Sequence, residues 1–185
     1  MKTLSIPYPD DWHSHLRDDN FLSRTVADIS RQFQRAIIMP NLCPPVTTVE
    51  QAQAYETRIL EHRPTGSTFQ PLMTLYLTES MLPETIHQAK QSGIIFGCKL
   101  YPAGATTHST AGINQLKAIY PLFDAMQTNN IPLLIHGEVV DNSVDIIQHE
   151  PAFIERELRP IIETFPNLRI VLEHISTKEA VEFVT

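Results

Sequence analysis

Apolar residues recur along the chain in short runs that alternate with longer segments of helical period. The short runs are rich in Ile, Val and Leu, as expected of strands buried on both faces of a sheet. This alternation is typical of βα units arranged around a parallel sheet. We count six such units, with predicted strands at residues 11–15, 36–39, 71–77, 94–101, 132–136 and 169–174.

The segments between the strands carry apolar stripes at helical spacing. In the first, Leu22, Val26, Ile29 and Phe33 recur every three or four residues and predict one buried face. Further helices are predicted to open at Thr47-Thr48, near Pro83, at Ile113, near Pro151 and at Thr177. The sequence stops within the last of these helices without a Gly, Asn or Pro to close it, so we do not expect Thr185 to be a natural helix end.

The amino-acid composition argues against several classes of protein. Of the 185 residues, 42% are hydrophobic and 19% are charged, which is enough to build a core and excludes a disordered chain. The formal charge is -7 and the basic residues are scattered, which argues against nucleic acid as a partner. No apolar run reaches the ~18 residues needed to span a bilayer, and Asp10 and Asp11 stand where a signal peptide would be apolar. We therefore expect a soluble, cytoplasmic protein without membrane association.

The two cysteines, Cys43 and Cys98, are too few for a disulfide framework, and we expect reduced thiols packed like small apolar residues. The eight histidines are more informative. His13 and His15 are two apart on the first predicted strand, so their side chains point to the same side, and Arg17 continues that side if the strand persists. Three further polar residues stand at or near the ends of three other strands: Lys99, His136 and His174.

Carboxyl ends of strands are where (β/α)₈ enzymes place their chemistry. Neutral imidazoles are good zinc ligands, and a hydrolase often holds a second metal ion roughly 3.5–4 Å from the first. Two cations that close need a bridging anion, and a desolvated lysine amine can take up carbon dioxide to become one, which gives Lys99 a role. The remaining histidines have no partner spacing, and we expect them to be solvated or locally bonded: His62, His87, His108 and His149.

Five segments of the chain carry a resemblance to a known family. They are Pro9 to Arg17 (PDDWHSHLR), Met39-Pro40-Asn41, Lys99 to Ala103 (KLYPA), His136-Gly137-Glu138 and Glu173-His174-Ile175. In this order, along the whole chain, they resemble the bacterial-type dihydroorotases of the amidohydrolase superfamily. The His-x-His pair alone indicates only the superfamily, whereas its combination with the Met-Pro-Asn and Lys-Leu-Tyr-Pro motifs is specific to this enzyme family.

The resemblance implies a hydrolase with a distorted (β/α)₈ TIM-like barrel and two Zn²⁺ per active site. The family interconverts L-dihydroorotate and N-carbamoyl-L-aspartate in de novo pyrimidine (UMP) biosynthesis, by a hydroxide held between the zinc ions. His13 and His15 would bind the first zinc, His136 and His174 the second, and N6-carboxylated Lys99 would bridge them. The implied substrate-binding residues are His15, Arg17, Asn41, Thr106, Thr107 and His136. A homodimer is expected by analogy alone.

The resemblance also implies a catalytic aspartate at the end of an eighth strand, which lies outside these 185 residues. Six of eight units of a barrel of about 250 residues would be roughly 190 residues. We therefore interpret residues 1–185 as one incomplete amidohydrolase barrel domain, the first three quarters, and expect it to be inactive alone. Such a domain would expose the edges of its first and sixth strands and fold or associate poorly in isolation.

Two other interpretations remain open at this point. Another cyclic amidohydrolase, such as a hydantoinase or allantoinase, would share the metal ligands but would not need Arg17 or Asn41. A catalytically silent zinc-binding scaffold, acting through protein contacts, would bind metal tightly without turnover.

Overall fold

A computed structural model describes residues 3–185, and its framework is one sheet of six parallel strands in sequential order. The strands are β1 (Asp10–Ser14), β2 (Arg35–Ile38), β3 (Gln70–Tyr76), β4 (Ile95–Leu100), β5 (Leu133–Ile135) and β6 (Ile170–Leu172). Each strand pairs in parallel with its neighbours in sequence, so a crossover must separate every pair. The sheet curls into part of a barrel, which confirms the predicted (β/α)₈ fold class.

Helices supply the crossovers and lie on the outside of the sheet. They are α1 (Leu22–Ile29), α2 (Val49–Glu61), α3 (Pro83–Ser92), α4 (Tyr120–Asn129), α5 (His149–Phe153), α6 (Arg159–Thr164) and α7 (Lys178–Val184). Short 3₁₀ turns precede α1, α4 and α5, and a π-helical segment, Ile154–Leu158, joins α5 to α6. Among residues 3–185, no helix has the length and hydropathy that crossing a membrane requires.

The helix starts follow local chemistry. Thr48 caps α2, and its hydroxyl accepts from the Gln51 backbone N–H at 3.2 Å while the Gln51 side chain accepts from Thr48 N–H at 3.2 Å. The predicted start at Thr47-Thr48 is therefore confirmed. The helix predicted from Ile113 begins later, as a 3₁₀ turn at Leu116, because Pro121 favours the first turn of α4.

The predicted helix near Pro151 begins two residues earlier and contains the π-helical segment. Pro160 lacks an N–H group, and in a regular helix its ring would collide with the carbonyl of Arg156. The widened turn between Ile154 and Leu158 removes that conflict. Helical period alone does not reveal this local change of geometry.

The buried core lies mainly between the sheet and its helices, and a second, smaller cluster lies on the inner face of the sheet. Ile37, Met39 and Leu134 form that inner cluster. Trp12 stacks on Phe96 with ring centroids 6.2 Å apart, yet 51% of the Trp12 surface is exposed. The inner face is therefore only partly covered within residues 3–185, and β1 and β6 each have one strand neighbour there, as expected of an incomplete barrel.

Both cysteines are free thiols among the described residues. Cys98 is buried in β4, as expected for a small apolar residue, but Cys43 is exposed. The prediction of a packed thiol was therefore wrong for Cys43, which follows β2 in a proline-containing loop at the surface.

The loop after β4 generates a stability prediction. A Cβ at Gly112 would collide with the Tyr101 carbonyl oxygen and come within 2.9 Å of the Ser109 carbonyl oxygen, both of them backbone atoms. We expect Gly112→Ala to lower the free energy of unfolding by about 1–3 kcal/mol, since the backbone must shift to make room. Urea unfolding measures this, with exposed Thr110→Ala as the control that should change little. An unchanged midpoint for Gly112→Ala would contradict the close approach.

Candidate metal centre

Four histidines lie side by side at the carboxyl end of the sheet: His13 within β1 and His15, His136 and His174 just after the ends of strands. The Nε2 atoms of His13 and His15 are 3.1 Å apart, so the two side chains share one side, as their spacing predicts. The ring centroid of His174 lies 5.1 Å from that of His13 and 4.8 Å from that of His136. The four imidazoles therefore form one continuous group, which we call the histidine cluster.

The strands end earlier than the sequence predicts, and this determines where the histidines stand. β5 ends at Ile135, so His136 is the first residue of the following loop. β6 ends at Leu172, and His174 adopts φ 41°, a left-handed conformation that is uncommon for residues other than glycine. The prediction that strand six continues to His174 was therefore wrong, because the backbone turns before it.

Lys99 lies on β4 beneath the cluster and is fully buried, with 0% of its surface exposed. Its Nζ atom forms an ion pair with Glu173, and the other Glu173 oxygen lies 3.1 Å from His13 Nδ1. Atoms of His13, Glu173 and His174 lie within 4.8 Å of one another and could hold a metal ion. The spacing of the histidines does not point to Glu173, although a carboxylate beside a histidine after an apolar strand is a usable signal.

Burial and the neighbouring charges together shift the pKa of both members of the buried ion pair. Burial lowers the pKa of Lys99, and the nearby Glu173 carboxylate opposes that change only in part. Burial by itself raises the pKa of Glu173, but His13 and Lys99 together outweigh it and leave the pKa lowered. An amine with a lowered pKa is closer to its neutral, nucleophilic form.

His136 and two tyrosines complete the surroundings of Lys99. The Nε2 atom of His136 lies 2.9 Å from a Glu138 carboxylate oxygen, and burial lowers the pKa of His136. The rings of Tyr76 and Tyr101 stack with centroids 5.1 Å apart, and Lys99 Nζ lies 4.9 Å from the Tyr101 centroid. Burial raises the pKa of Tyr76 to about 12 and also raises that of Tyr101. Both phenols therefore stay protonated at neutral pH.

Arg17 lies outside the histidine cluster and lines a separate cavity. β1 ends at Ser14 and Arg17 has φ 61°, so the strand does not persist to Arg17, and the condition for Arg17 to share the side of His13 and His15 is not met. The Tyr55 hydroxyl donates to the Arg17 carbonyl at 2.5 Å and holds this turn. Arg17 lines a cavity of about 640 Å³ with Thr107 and His108, and its Nη1 atom is buried without a partner among residues 3–185.

The loop after β4 reaches across to the loop after β2. Asn41 donates from its side-chain amide to the Thr107 carbonyl at 3.0 Å, and His108 Nδ1 lies 3.3 Å from the Asn41 carbonyl oxygen. The Thr106 backbone N–H donates to the Ser109 hydroxyl at 2.9 Å. The structure thus brings Asn41 into contact with Thr107, which lines the cavity with Arg17, while the Thr106 and Thr107 side chains remain exposed.

The other histidines make local contacts or none. His87 bonds to the Asn129 side chain at 2.9 Å, and His149 lies 3.2 Å from the Val144 carbonyl oxygen. His62 is exposed at the end of α2. His108 Nδ1 lies near the Asn41 carbonyl oxygen, and His108 also lines the cavity with Arg17. The spacing of the histidines along the sequence does not indicate this position.

The chain is similar in sequence and in structure to known proteins. The chain is 65% identical to a protein named dihydroorotase from Coxiella burnetii over 184 residues, which are 100% of this chain and 53% of that relative. The crystal structure of dihydroorotase from Campylobacter jejuni superimposes with a TM-score of 0.86 at 40% identity, covering 94% of this chain and 50% of that one. The chain therefore spans about half the length of the curated relatives it matches, at their N-terminal part.

A more distant structure shares the fold. L-hydantoinase (dihydropyrimidinase) from Arthrobacter aurescens superimposes with a TM-score of 0.70 at 15% identity, covering 96% of this chain and 44% of that one. No family model matches the chain.

The histidine cluster generates a prediction about pH. Burial, followed by the nearby positive charges of His13 and Arg17, lowers the pKa of His15 from 6.5 to about 4, and burial, followed by the charge of Lys99, lowers that of His174 to about 4. In the unfolded chain both side chains take up protons near pH 6.5, whereas in the fold they resist protonation until about pH 4. Their contribution to stability is therefore complete above pH 6.5 and is lost as the pH falls toward 4.

Urea unfolding of the chelator-treated protein across this interval measures the effect. The double variant His15→Asn/His174→Asn should show a flatter dependence of the unfolding free energy on pH. The exposed His62→Asn should keep the wild-type slope. Equal slopes for all three proteins would show that the cluster is not held unprotonated.

Proposed function

We propose, from the homology of this chain to the N-terminal part of dihydroorotases, that it forms the metal-binding part of a cytoplasmic enzyme of that activity. The reaction is the reversible conversion of L-dihydroorotate to N-carbamoyl-L-aspartate in pyrimidine biosynthesis. The observation that carries the proposal is the histidine cluster above the buried Lys99, at the carboxyl end of a parallel sheet.

The residues present fit zinc. Nitrogen ligands of one tetrahedral zinc lie roughly 3.3–3.4 Å apart, and the Nε2 atoms of His13 and His15 are 3.1 Å apart. The lowered pKa values keep His15 and His174 unprotonated at neutral pH, so their lone pairs are free to bind a metal. His13 and His15 would hold one Zn²⁺, and His136 and His174 a second. When bound, the metal supplies Lewis acidity and an activated water.

Lys99 would bridge the two metal positions as an N6-carboxylated side chain. Carboxylation turns a cation into an anion, so the ion pair with Glu173 must separate when it occurs. The complete burial of Lys99 favours this change, because burial lowers its pKa and a neutral amine is the form that takes up carbon dioxide. Glu173 is then free to accept from His13 Nδ1, which would fix the His13 tautomer with Nε2 toward the metal.

Arg17 would bind the substrate carboxylate. Its guanidinium offers a planar fork, and the buried Nη1 atom has no partner among residues 3–185. Thr107 lines the same cavity as Arg17 and accepts a hydrogen bond from the Asn41 side chain. Asn41 would therefore contact the substrate together with the loop that bears Thr106 and Thr107. His15 and His136, at the inner side, would contact the reacting part of the substrate.

The family resemblance implies that the catalytic proton-transfer group is an aspartate on a later strand of the barrel. The exposed inner face at Trp12, Phe96 and Val171 favours covering by further strands of the barrel. We therefore propose that turnover needs a larger barrel than residues 1–185 provide. Association into a homodimer belongs to the same proposal.

A chimaeric protein tests the activity. With the C-terminal part of the Coxiella burnetii relative placed after Thr185, we expect zinc-dependent turnover of dihydroorotate and of carbamoyl aspartate. Arg17→Ala should lower kcat/KM roughly 10- to 150-fold, since it removes charge-assisted hydrogen bonds of 1.5–3 kcal/mol. Arg31→Ala, which alters a surface ion pair with Asp28, is the matched control.

Two outcomes would contradict this proposal. Turnover of hydantoin in preference to dihydroorotate, without sensitivity to Arg17→Ala, would favour another cyclic amidohydrolase. Tight zinc binding without any turnover in the chimaera would favour a silent scaffold.

Metal content tests the role of Lys99 in the chain as it stands. We expect Lys99→Ala to lower the zinc bound per chain, because the bridging anion is lost, and added acetate or another short carboxylate to restore it in part. Elemental analysis after gel filtration measures the zinc, with exposed Lys90→Ala as the control. Unchanged zinc content in Lys99→Ala would argue against the bridge.

A further inference from the structure

Two buried tyrosine hydroxyls beside Lys99 have no hydrogen-bond partner among residues 3–185. Tyr76 is 0% and Tyr101 1% exposed, and neither phenol oxygen reaches a donor or acceptor. A buried hydroxyl without a partner costs about 1–3 kcal/mol, and buried tyrosines usually find one. Tyr55 shows the usual arrangement, since its hydroxyl donates to the Arg17 carbonyl. The two unpaired hydroxyls therefore indicate a missing acceptor.

The sheet places both tyrosines on the same face as Lys99. Tyr76, the last residue of β3, is the register partner of Lys99 on β4. Tyr101 is the first residue after β4, and its ring lies beside the ring of Tyr76 and the Lys99 amine. The stacked rings lie 5.1 Å apart, and the Tyr101 centroid is 4.9 Å from Lys99 Nζ and 6.2 Å from the centroid of His136.

The chemical state of Lys99 determines whether the two tyrosine hydroxyls can donate hydrogen bonds to it. An ammonium group has only donors, so a phenol cannot donate to it. A carbamate on the same nitrogen has two acceptor oxygens and carries a negative charge, which strengthens hydrogen bonds from hydroxyls. Glu173, the anion now beside Lys99, forms an ion pair with Lys99 and lies 3.1 Å from His13 Nδ1, and neither tyrosine hydroxyl has it as a partner.

We propose that Tyr76 and Tyr101 are positioning residues whose hydroxyls donate hydrogen bonds to the carbamate oxygens of carboxylated Lys99 and so stabilise that modification. The inference rests on the proposed function, in which Lys99 is carboxylated. In that step the neutral amine nitrogen attacks carbon dioxide and the C–N bond forms. One C=O π pair moves onto oxygen, and the N–H proton leaves to solvent. The tyrosines change no bond and supply no proton.

Isosteric substitutions in the chain as it stands test the proposal. Tyr76→Phe and Tyr101→Phe keep the stacked rings and remove only the oxygen atoms. With ¹³C-labelled bicarbonate, NMR reports the occupancy of a carbamate that Lys99→Ala should lack. We expect each variant to need about 10-fold more bicarbonate for half occupancy, as for the loss of a hydrogen bond of about 1.5 kcal/mol to a charged group. Tyr120→Phe, in the aromatic group with Phe123 and Phe165, is the matched control and should behave as wild type.

A second measurement separates this role from a structural one. In buffer free of carbon dioxide the hydroxyls have nothing to bond to, so both Phe variants should be at least as stable to urea as wild type. Lower stability there would show a structural partner and overturn the proposal. An unchanged bicarbonate dependence would also overturn it, as would normal carbamate occupancy with weakened binding of carbamoyl aspartate, which would assign the hydroxyls to the substrate. Absence of any Lys99-dependent carbamate signal in wild type would instead refute the bridge itself.

Discussion

A charged lysine side chain with no exposed surface needs an anion beside it. Lys99 is such a residue, and the ion pair that it forms with Glu173 determines how the rest of the site is arranged. Glu173 supplies the carboxylate from the far end of the sheet, 74 residues along the chain. That single ion pair joins β4 to the segment after β6 and brings His13 and His174 to the same point. A buried pair of this kind is a weak source of net stability but a strict geometric constraint, because separating the partners would leave a buried charge.

The parallel sheet makes such a convergence possible. Strands that run in one direction all end at the same edge, so residues distant in sequence arrive there together. The backbone then leaves the strands in conformations that strands do not use, with φ 61° at Arg17 and φ 41° at His174. Positive φ at residues with large side chains is unfavourable and persists only where surrounding contacts hold it, here the Tyr55 hydroxyl on the Arg17 carbonyl.

The site has two neighbouring regions with different physical character. One region holds the buried Lys99, whose pKa is lowered, and the partly exposed histidine cluster beside it, where unprotonated imidazole nitrogens are favoured. The other region is the open cavity that Arg17 lines with Thr107 and His108 of the loop after β4. A reaction that needs metal chemistry at one end of a small anion and carboxylate recognition at the other would use both regions.

Sequence alone determined the class of fold and most of the candidate site. Alternating apolar runs and helical periods record the βα architecture, and a two-residue spacing places His13 and His15 on one side, since side-chain direction is fixed locally by the strand. The tertiary structure decided what depends on contacts between distant segments. The pairing of Glu173 with Lys99, the turn at Arg17 and the unpaired hydroxyl of Tyr76 have no local signature, because each is defined by atoms that only folding brings together.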